Sequence, residues 1–322
     1  MRHRKNGIGL EQLTSGNKIN ITVLGFGYVG SSLSLLLLNN KHPIRLNVME
    51  TNPKSVGAFL DLAHGISLYD RKELHVNQEE LFLNADFIYY AAGIPNIHGS
   101  SRLSTAKQNL ALSKEIFEHR NFVKNPYIIA ITNPVDIVAN AVHKNSGLPS
   151  DRVFGTGTFL DSVRLAYNLS SLSGYNASDF GTMVLGEHGN SQVPIYSQST
   201  FKGKAILKNS KFRKQDLEKA ADLTKNAAFQ IRETQAATSY GVSKCAEVLL
   251  DYLLGDEEHF ITLSMLSNDY YRTLLSLNRN IYLSMPVRIK NGQISIIDRK
   301  DFLEQEIMAY QKSASILAEI IE

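Results

Sequence analysis

The chain has no tryptophan and a single cysteine, Cys245. One thiol cannot close an internal disulfide, so no oxidised framework supports the fold and a reducing cytoplasm is the expected setting. Cys245 lies within 242-VSKCAEVLLDYLL-254, an apolar helical pattern that calls for a small buried hydrophobe rather than a reactive thiol. Membrane-length apolar runs are missing as well. Stretches such as 35-LLLL-38 are far too short to cross a bilayer and fit a buried helix. Excess charge of either sign is also absent. The formal net charge is +3, and Arg2, Arg4 and Lys5 account for it. A neutral body argues against nucleic acid or a membrane surface as partner. His64, His98, His143 and His259 show no ligand-like spacing to one another or to Cys245, so no metal site is expected. The opening MRHRKNGIGLEQLTSGN is charged without an apolar segment, so a secretory signal is not expected and residues 1–17 read as a tail.

What the chain does have is enough length, 322 residues, for two domains and a sizeable core. Apolar strand-like runs 19-INITVLG-25, 44-IRLNVME-50, 86-DFIYYAAG-93 and 127-YIIAITN-133 alternate with helical patterns at 31–40, 52–64 and 103–120. Strand–helix alternation predicts right-handed crossovers and a doubly wound parallel sheet over residues 18–155. After about residue 155 the pattern changes. A long helix over 158–174 bridges to short strands near 182-TMVLG-186 and 193-VPIYSQST-200. Helices follow at 214–235 and 240–255, then an antiparallel pair around 291-NG-292, then a last helix over 300–320. Residues 156–322 therefore read as a mixed α+β second domain.

The turn 25-GFGYVG-30 places Gly25, Gly27 and Gly30 in a G-x-G-x-x-G pattern between a strand and a helix. Alone the pattern is weak, since glycines also make ordinary tight turns. Its context is that of a Rossmann-type βαβ unit. Glu50 ends the second strand twenty residues after Gly30, where a carboxylate accepts hydrogen bonds from a ribose diol and repels an added phosphate. NAD is the expected cofactor, with its pyrophosphate at the helix N-terminus.

Polar residues stand where loops leave the strands. Asn133 follows YIIAIT, and Arg102 ends the loop 93-GIPNIHGSSR-102. Asp161 and Arg164, three apart, share a helix face and could equally be a surface ion pair. His188 sits in 184-VLGEHGNSQVP-194, between two glycines, where packing gives no reason for an imidazole.

With GFGYVG, METN, FLDLAHG, ADFIYYAAGIP, RLSTAKQNL, ITNPVD, GTGTFLDSVR and GEHGN in place, the chain resembles the L-lactate/L-malate dehydrogenase family from about Lys18 onward. The 27-residue separation of Asp161 and His188 is family-like. The resemblance implies that His188 is the acid–base group and that Asp161 orients it. It implies that Arg102 polarises the carbonyl, Arg164 holds the substrate carboxylate, and Asn133 bonds the reacting oxygen or cofactor. Thr238 and Asn96 would line the pocket. Val29, Gly93 and Thr156 would join the glycines, Glu50 and Asn133 around NAD. A homodimer or homotetramer acting on a 2-keto or 2-hydroxy acid in fermentative metabolism is the implied assembly.

Two departures refine the expectation. Asn96 stands where lactate dehydrogenases usually carry Gln and malate dehydrogenases Arg. A short neutral side chain cannot pair with a second carboxylate, which disfavours oxaloacetate and leaves room for more than a methyl group. Pyruvate is the first expectation, and a branched 2-keto acid of the 2-hydroxyisocaproate branch is its competitor, since GEHGN replaces GEHGD through Asn190. A catalytically silent NAD-binding module would have lost one of these side chains, and none is missing. Ala166 and Gly181 occupy the positions through which some relatives bind an activating sugar bisphosphate, and neither side chain can hold phosphate. Titration with fructose 1,6-bisphosphate is therefore expected to leave the rate unchanged; a clear enhancement would contradict this.

Overall fold

The computed structural model describes residues 18–94 and 102–321. Six strands form the parallel part of the main sheet: β1 (Ile19–Leu24), β2 (Ile44–Met49), β3 (Lys72–Val76), β4 (Phe87–Tyr90), β5 (Tyr127–Ala130) and β6 (Val153–Gly155). Their spatial order is β3-β2-β1-β4-β5-β6, so the winding reverses between β1 and β4. In a doubly wound sheet that reversal opens a crevice at the carboxyl ends of the strands.

All six residues of β1 are buried, as expected of a central strand covered on both faces. Along β4 the side chains alternate between two cores. Phe87 and Tyr89 join the cluster that also holds Ile21, Val23 and Leu33, while Ile88 and Tyr90 join Leu24, Ile128, Val138 and Val142 on the other face. Strand β3, KELHV, is only half-buried at the sheet edge, which is why its polar sequence gave no strand signal. Strand β6 spans three residues and was equally illegible.

The sheet does not stop with the first domain. Strands β7 to β11 are two-residue pieces between Phe180 and Ala205. Then β12 (His259–Leu266), β13 (Tyr282–Lys290) and β14 (Gln293–Ile296) add antiparallel strands beyond β6. Ser264 on β12 pairs with Gly155 on β6, so one nine-stranded mixed sheet runs through both halves. The short edge of β6 is thereby covered rather than exposed. The Asn291–Gly292 turn has φ values of 50° and 69° at its two residues, the combination a tight hairpin needs.

A second contact locks the halves. Helix α1 (Tyr28–Asn39) lies against the helix Tyr240–Leu254, where the Ser243 hydroxyl donates to the Val29 carbonyl at 3.1 Å. The Asn40 amide donates to the buried Glu247 carboxylate at 2.6 Å. Cys245 is buried in this second helix. Among the described residues no helix is long and apolar enough to cross a membrane.

Candidate active site

The glycine turn between β1 and α1 is built on close approach. Gly25 has φ of +90°, and a Cβ there would lie 2.5 Å from Ala92 Cα at the end of β4. A Cβ on Gly30 would lie 1.9 Å from the Gly25 carbonyl oxygen. Gly27 differs: a Cβ there would meet nothing within 4 Å, so open space lies over the backbone at the start of α1. No side chain caps that helix start, which leaves its first amides free for an anion.

Glu50 reaches beneath the same turn. Its Oε2 accepts the Phe26 N–H at 2.7 Å, and its Oε1 accepts the Asn52 N–H at 2.7 Å. Each oxygen retains acceptor capacity for a ribose hydroxyl. Around the crevice, Gly93 follows β4 and approaches Thr132 so closely that a Cβ would sit 2.5 Å from its methyl group. Thr156 follows β6 and donates its N–H to the Ala130 carbonyl at 2.9 Å. These features fit a dinucleotide: open backbone amides for the pyrophosphate and a fixed carboxylate for the ribose.

The loops after β4 and β5 are joined by a residue that sequence reasoning missed. Asn109, buried in the helix Arg102–Phe117, accepts the Ile94 N–H at 2.8 Å and donates to the Asn133 carbonyl at 2.7 Å. Its signal was a polar residue on the inward face of a helix. Asn133 is exposed at the end of β5. Arg102 begins the helix Arg102–Phe117, with its side chain outside the described set, and Asn96 and His98 lie outside the described residues.

Helix α2 (Phe159–Ser173) carries Asp161 and Arg164 on one face. Arg164 Nη1 donates to Asp161 Oδ1 at 3.1 Å, and His188 Nδ1 lies 2.7 Å from Asp161 Oδ2. The Asp161 side chain is 2% exposed, against 15% for Arg164 and 22% for His188, so the pair is not a solvated ion pair. The register between α2 and the histidine turn is fixed by a polar ladder. Ser162 Oγ accepts the Val184 N–H at 3.0 Å, Thr182 Oγ1 donates to the Ser162 carbonyl at 2.6 Å, and Thr158 Oγ1 donates to the Val184 carbonyl.

Beyond Leu185 the chain turns through Gly186, whose φ of +90° suits glycine and whose Cβ would strike Ser313 Oγ at 2.4 Å. Gly186 and Ser284 exchange main-chain hydrogen bonds, and Glu187 N–H donates to Ser313 Oγ at 2.9 Å. The His188 N–H donates to Asp136 Oδ2 at 2.9 Å. Asp136 lies in the first turn of the helix Val135–Ser146, directly after the Asn133 turn, so His188 stands at the carboxyl end of β5. Thr238 is half-buried in the loop before the helix Tyr240–Leu254, where Gly241 approaches Leu160, the neighbour of Asp161.

Burial works against the imidazolium, yet the Asp161 charge and hydrogen bond, with Asp136 behind, lift the His188 pKa above its ordinary value. Burial likewise works against the Asp161 carboxylate, but His188 and Arg164 outweigh it and hold its pKa below the usual range. The two shifts agree on a carboxylate–imidazolium pair. With Nδ1 committed to Asp161, Nε2 is the atom left to exchange a proton.

Fold and site together define an NAD-dependent oxidoreductase with a carboxylate-backed histidine. Residues 19–155 match the family model of the lactate/malate dehydrogenase NAD binding domain, and residues 158–322 match its alpha/beta C-terminal domain. The chain belongs to the lactate/malate dehydrogenase family. It is 31% identical to an L-lactate dehydrogenase of Bacillus licheniformis over 95% of this chain and 97% of that protein. It is similar to the solved minor L-lactate dehydrogenase of Enterococcus mundtii, with TM-score 0.84 and 26% identity over 94% of this chain and 98% of that one. The malate dehydrogenase of Cryptosporidium parvum shares the fold, with TM-score 0.83 at 22% identity over 95% of this chain and 98% of that one.

The glycine geometry separates folding from cofactor binding. Gly27→Ala is expected to leave Tm nearly unchanged and weaken NADH binding at least tenfold, because its methyl enters space a pyrophosphate needs. Gly30→Ala is expected to lower both. Fluorescence titration with NADH and a thermal melt check this; full NADH affinity in Gly27→Ala would contradict the proposed cradle.

Proposed function

We propose that the chain is an L-lactate dehydrogenase that interconverts pyruvate and L-lactate. The observation that carries the reading is the bonded set Arg164–Asp161–His188 at the carboxyl end of the sheet, beside the dinucleotide cradle. Arg164 spends one N–H on Asp161 and has others with which to fork onto a substrate carboxylate. That pairing aims the keto oxygen at His188 Nε2 and at the Asn133 amide. Arg102, at the start of its helix, would oppose the negative charge that develops on this oxygen. Asp161 stabilises the imidazolium, so the proton waits on Nε2 until the oxygen gains charge. NAD, held by the glycine turn and Glu50, would supply the hydride for reduction and accept it in the reverse direction. As the oxygen becomes a hydroxyl, Nε2 gives up its proton; in lactate oxidation neutral Nε2 accepts it.

Thr238 and Asn96 are the proposed determinants of the substrate side chain. The short neutral Asn96 supports a monocarboxylate, and it keeps 2-ketoisocaproate as the second substrate to test. A homo-oligomer is inferred from the helix Val56–His64, which buries no residue although it reads VGAFLDLAH. The single buried thiol fits work in a reducing cytoplasm.

Parallel assays of NADH oxidation with pyruvate, 2-ketoisocaproate and oxaloacetate should give turnover with pyruvate foremost. His188→Asn should reduce kcat by about 100-fold or more while leaving NADH binding within about twofold of the native protein. Turnover on none of the three acids would overturn the enzyme reading, and oxaloacetate as clear favourite would overturn the substrate.

A further inference from the structure

The turn that carries His188 is held from behind by a carboxylate that the proton-transfer scheme leaves without a role. Asp136 is 2% exposed, and its Oδ2 accepts the His188 main-chain N–H. Its other oxygen, Oδ1, is buried and faces the hydroxyl of Ser264 on β12 without a well-aligned hydrogen bond between them, and neither atom has another partner. A buried carboxylate with one unsatisfied oxygen is costly to keep. Anchoring an N–H does not require the charge, since a neutral amide oxygen would accept the same bond. The charge itself therefore needs an explanation, and the neighbouring group that gains from it is the imidazole.

We propose that Asp136 is a positioning residue for the acid–base histidine: it pins the His188 turn through the main chain and sets a second negative charge, beside that of Asp161, against the ring. This rests on the reading of His188 as the group that exchanges the proton. The imidazole is faced by Asp161 and Arg164 from α2 and by Asp136 from the helix Val135–Ser146. Burial and Arg164 both disfavour its protonated form, and the two carboxylates oppose them. Asp136 in turn is faced by His188, Glu187 and Ser264, with Tyr310 of the last helix nearby. Burial pushes Asp136 up to about 6, against the pull of the Ser264 hydroxyl, the His188 N–H and the imidazole charge. At neutral pH Asp136 is thus ionised and favours the protonated ring. Below about pH 6 it takes a proton and that support lapses. Asp161 alone would leave the ring with one anion against Arg164; the second carboxylate further favours its protonated form before a keto acid arrives.

Removing the Asp136 charge lowers the His188 pKa, so the limb of kcat/KM for keto-acid reduction that falls with rising pH moves to lower pH. The test uses the full chain labelled with [13C]histidine, with the His188 resonance identified by its loss in His188→Asn. Asp136→Asn keeps an oxygen for the main-chain anchor and removes the charge. NMR titration is expected to show a lower His188 pKa in this variant. NADH affinity should stay within about twofold, and kcat/KM at pH 8 should drop by about tenfold. Ser264→Ala leaves the anchor untouched and removes a group that favours the ionised Asp136. It should shift the His188 pKa in the same direction by less, and add nothing in the Asp136→Asn background.

An unchanged His188 pKa in Asp136→Asn overturns the proposal. If that variant does not fold, an unchanged pKa in Ser264→Ala does so. The titration needs no turnover. A chain inactive on every keto acid would sink the acid–base reading, while the NMR result would still decide whether Asp136 governs the ring.

Discussion

The hydrogen bond between Asp161 Oδ2 and His188 Nδ1 is the contact on which the rest of the site depends. It joins a helix to a turn 27 residues later in the chain, and it fixes which imidazole nitrogen faces the crevice. Both partners are largely withdrawn from water, so their attraction is screened far less than that of a surface pair. Asp161 would be an isolated buried charge without the imidazolium and Arg164, and each of these needs it in return. The three therefore stand or fall as one unit.

Much of the surrounding architecture serves to hold that distance. The Thr158, Ser162 and Thr182 hydroxyls bind α2 to the strand leading into the histidine turn. Ser284, Ser313 and Asp136 then fix the main chain of Gly186, Glu187 and His188 from three separate elements. Because β12 and β13 continue the nucleotide-binding sheet, these anchors share one framework with the glycine turn and Glu50. A reaction between a bound nicotinamide and a bound keto acid needs the two half-sites held in a set geometry, and a continuous sheet supplies it.

The parallel core was legible because strands buried on both faces read as apolar runs, and the Asn–Gly hairpin because few other sequences take its dihedrals. The edge strand KELHV, the three-residue β6 and the long β12 were not, since their pairing is decided by partners far away in sequence rather than by local pattern. Within the site, His188, Asp161, Arg164, the glycines and Glu50 stood out by motif and spacing, and the structure brings the first three into one bonded group. Asp136, Asn109, Ser284 and Ser313 did not stand out. Each acts through a main-chain hydrogen bond, and a sequence does not show which backbone groups a side chain will meet. The boundary near residue 155 marks a change of pattern, yet the sheet passes through it, because β12 pairs with β6 across the two halves.

Asp161→Asn measures most directly whether Asp161 makes His188 an effective acid. Pre-steady-state oxidation of bound NADH by pyruvate in this variant should be slowed by about 100-fold or more, with NADH binding close to that of the native chain and a lower Tm, because the Arg164 charge loses its buried partner. A burst rate near that of the native protein would contradict the account.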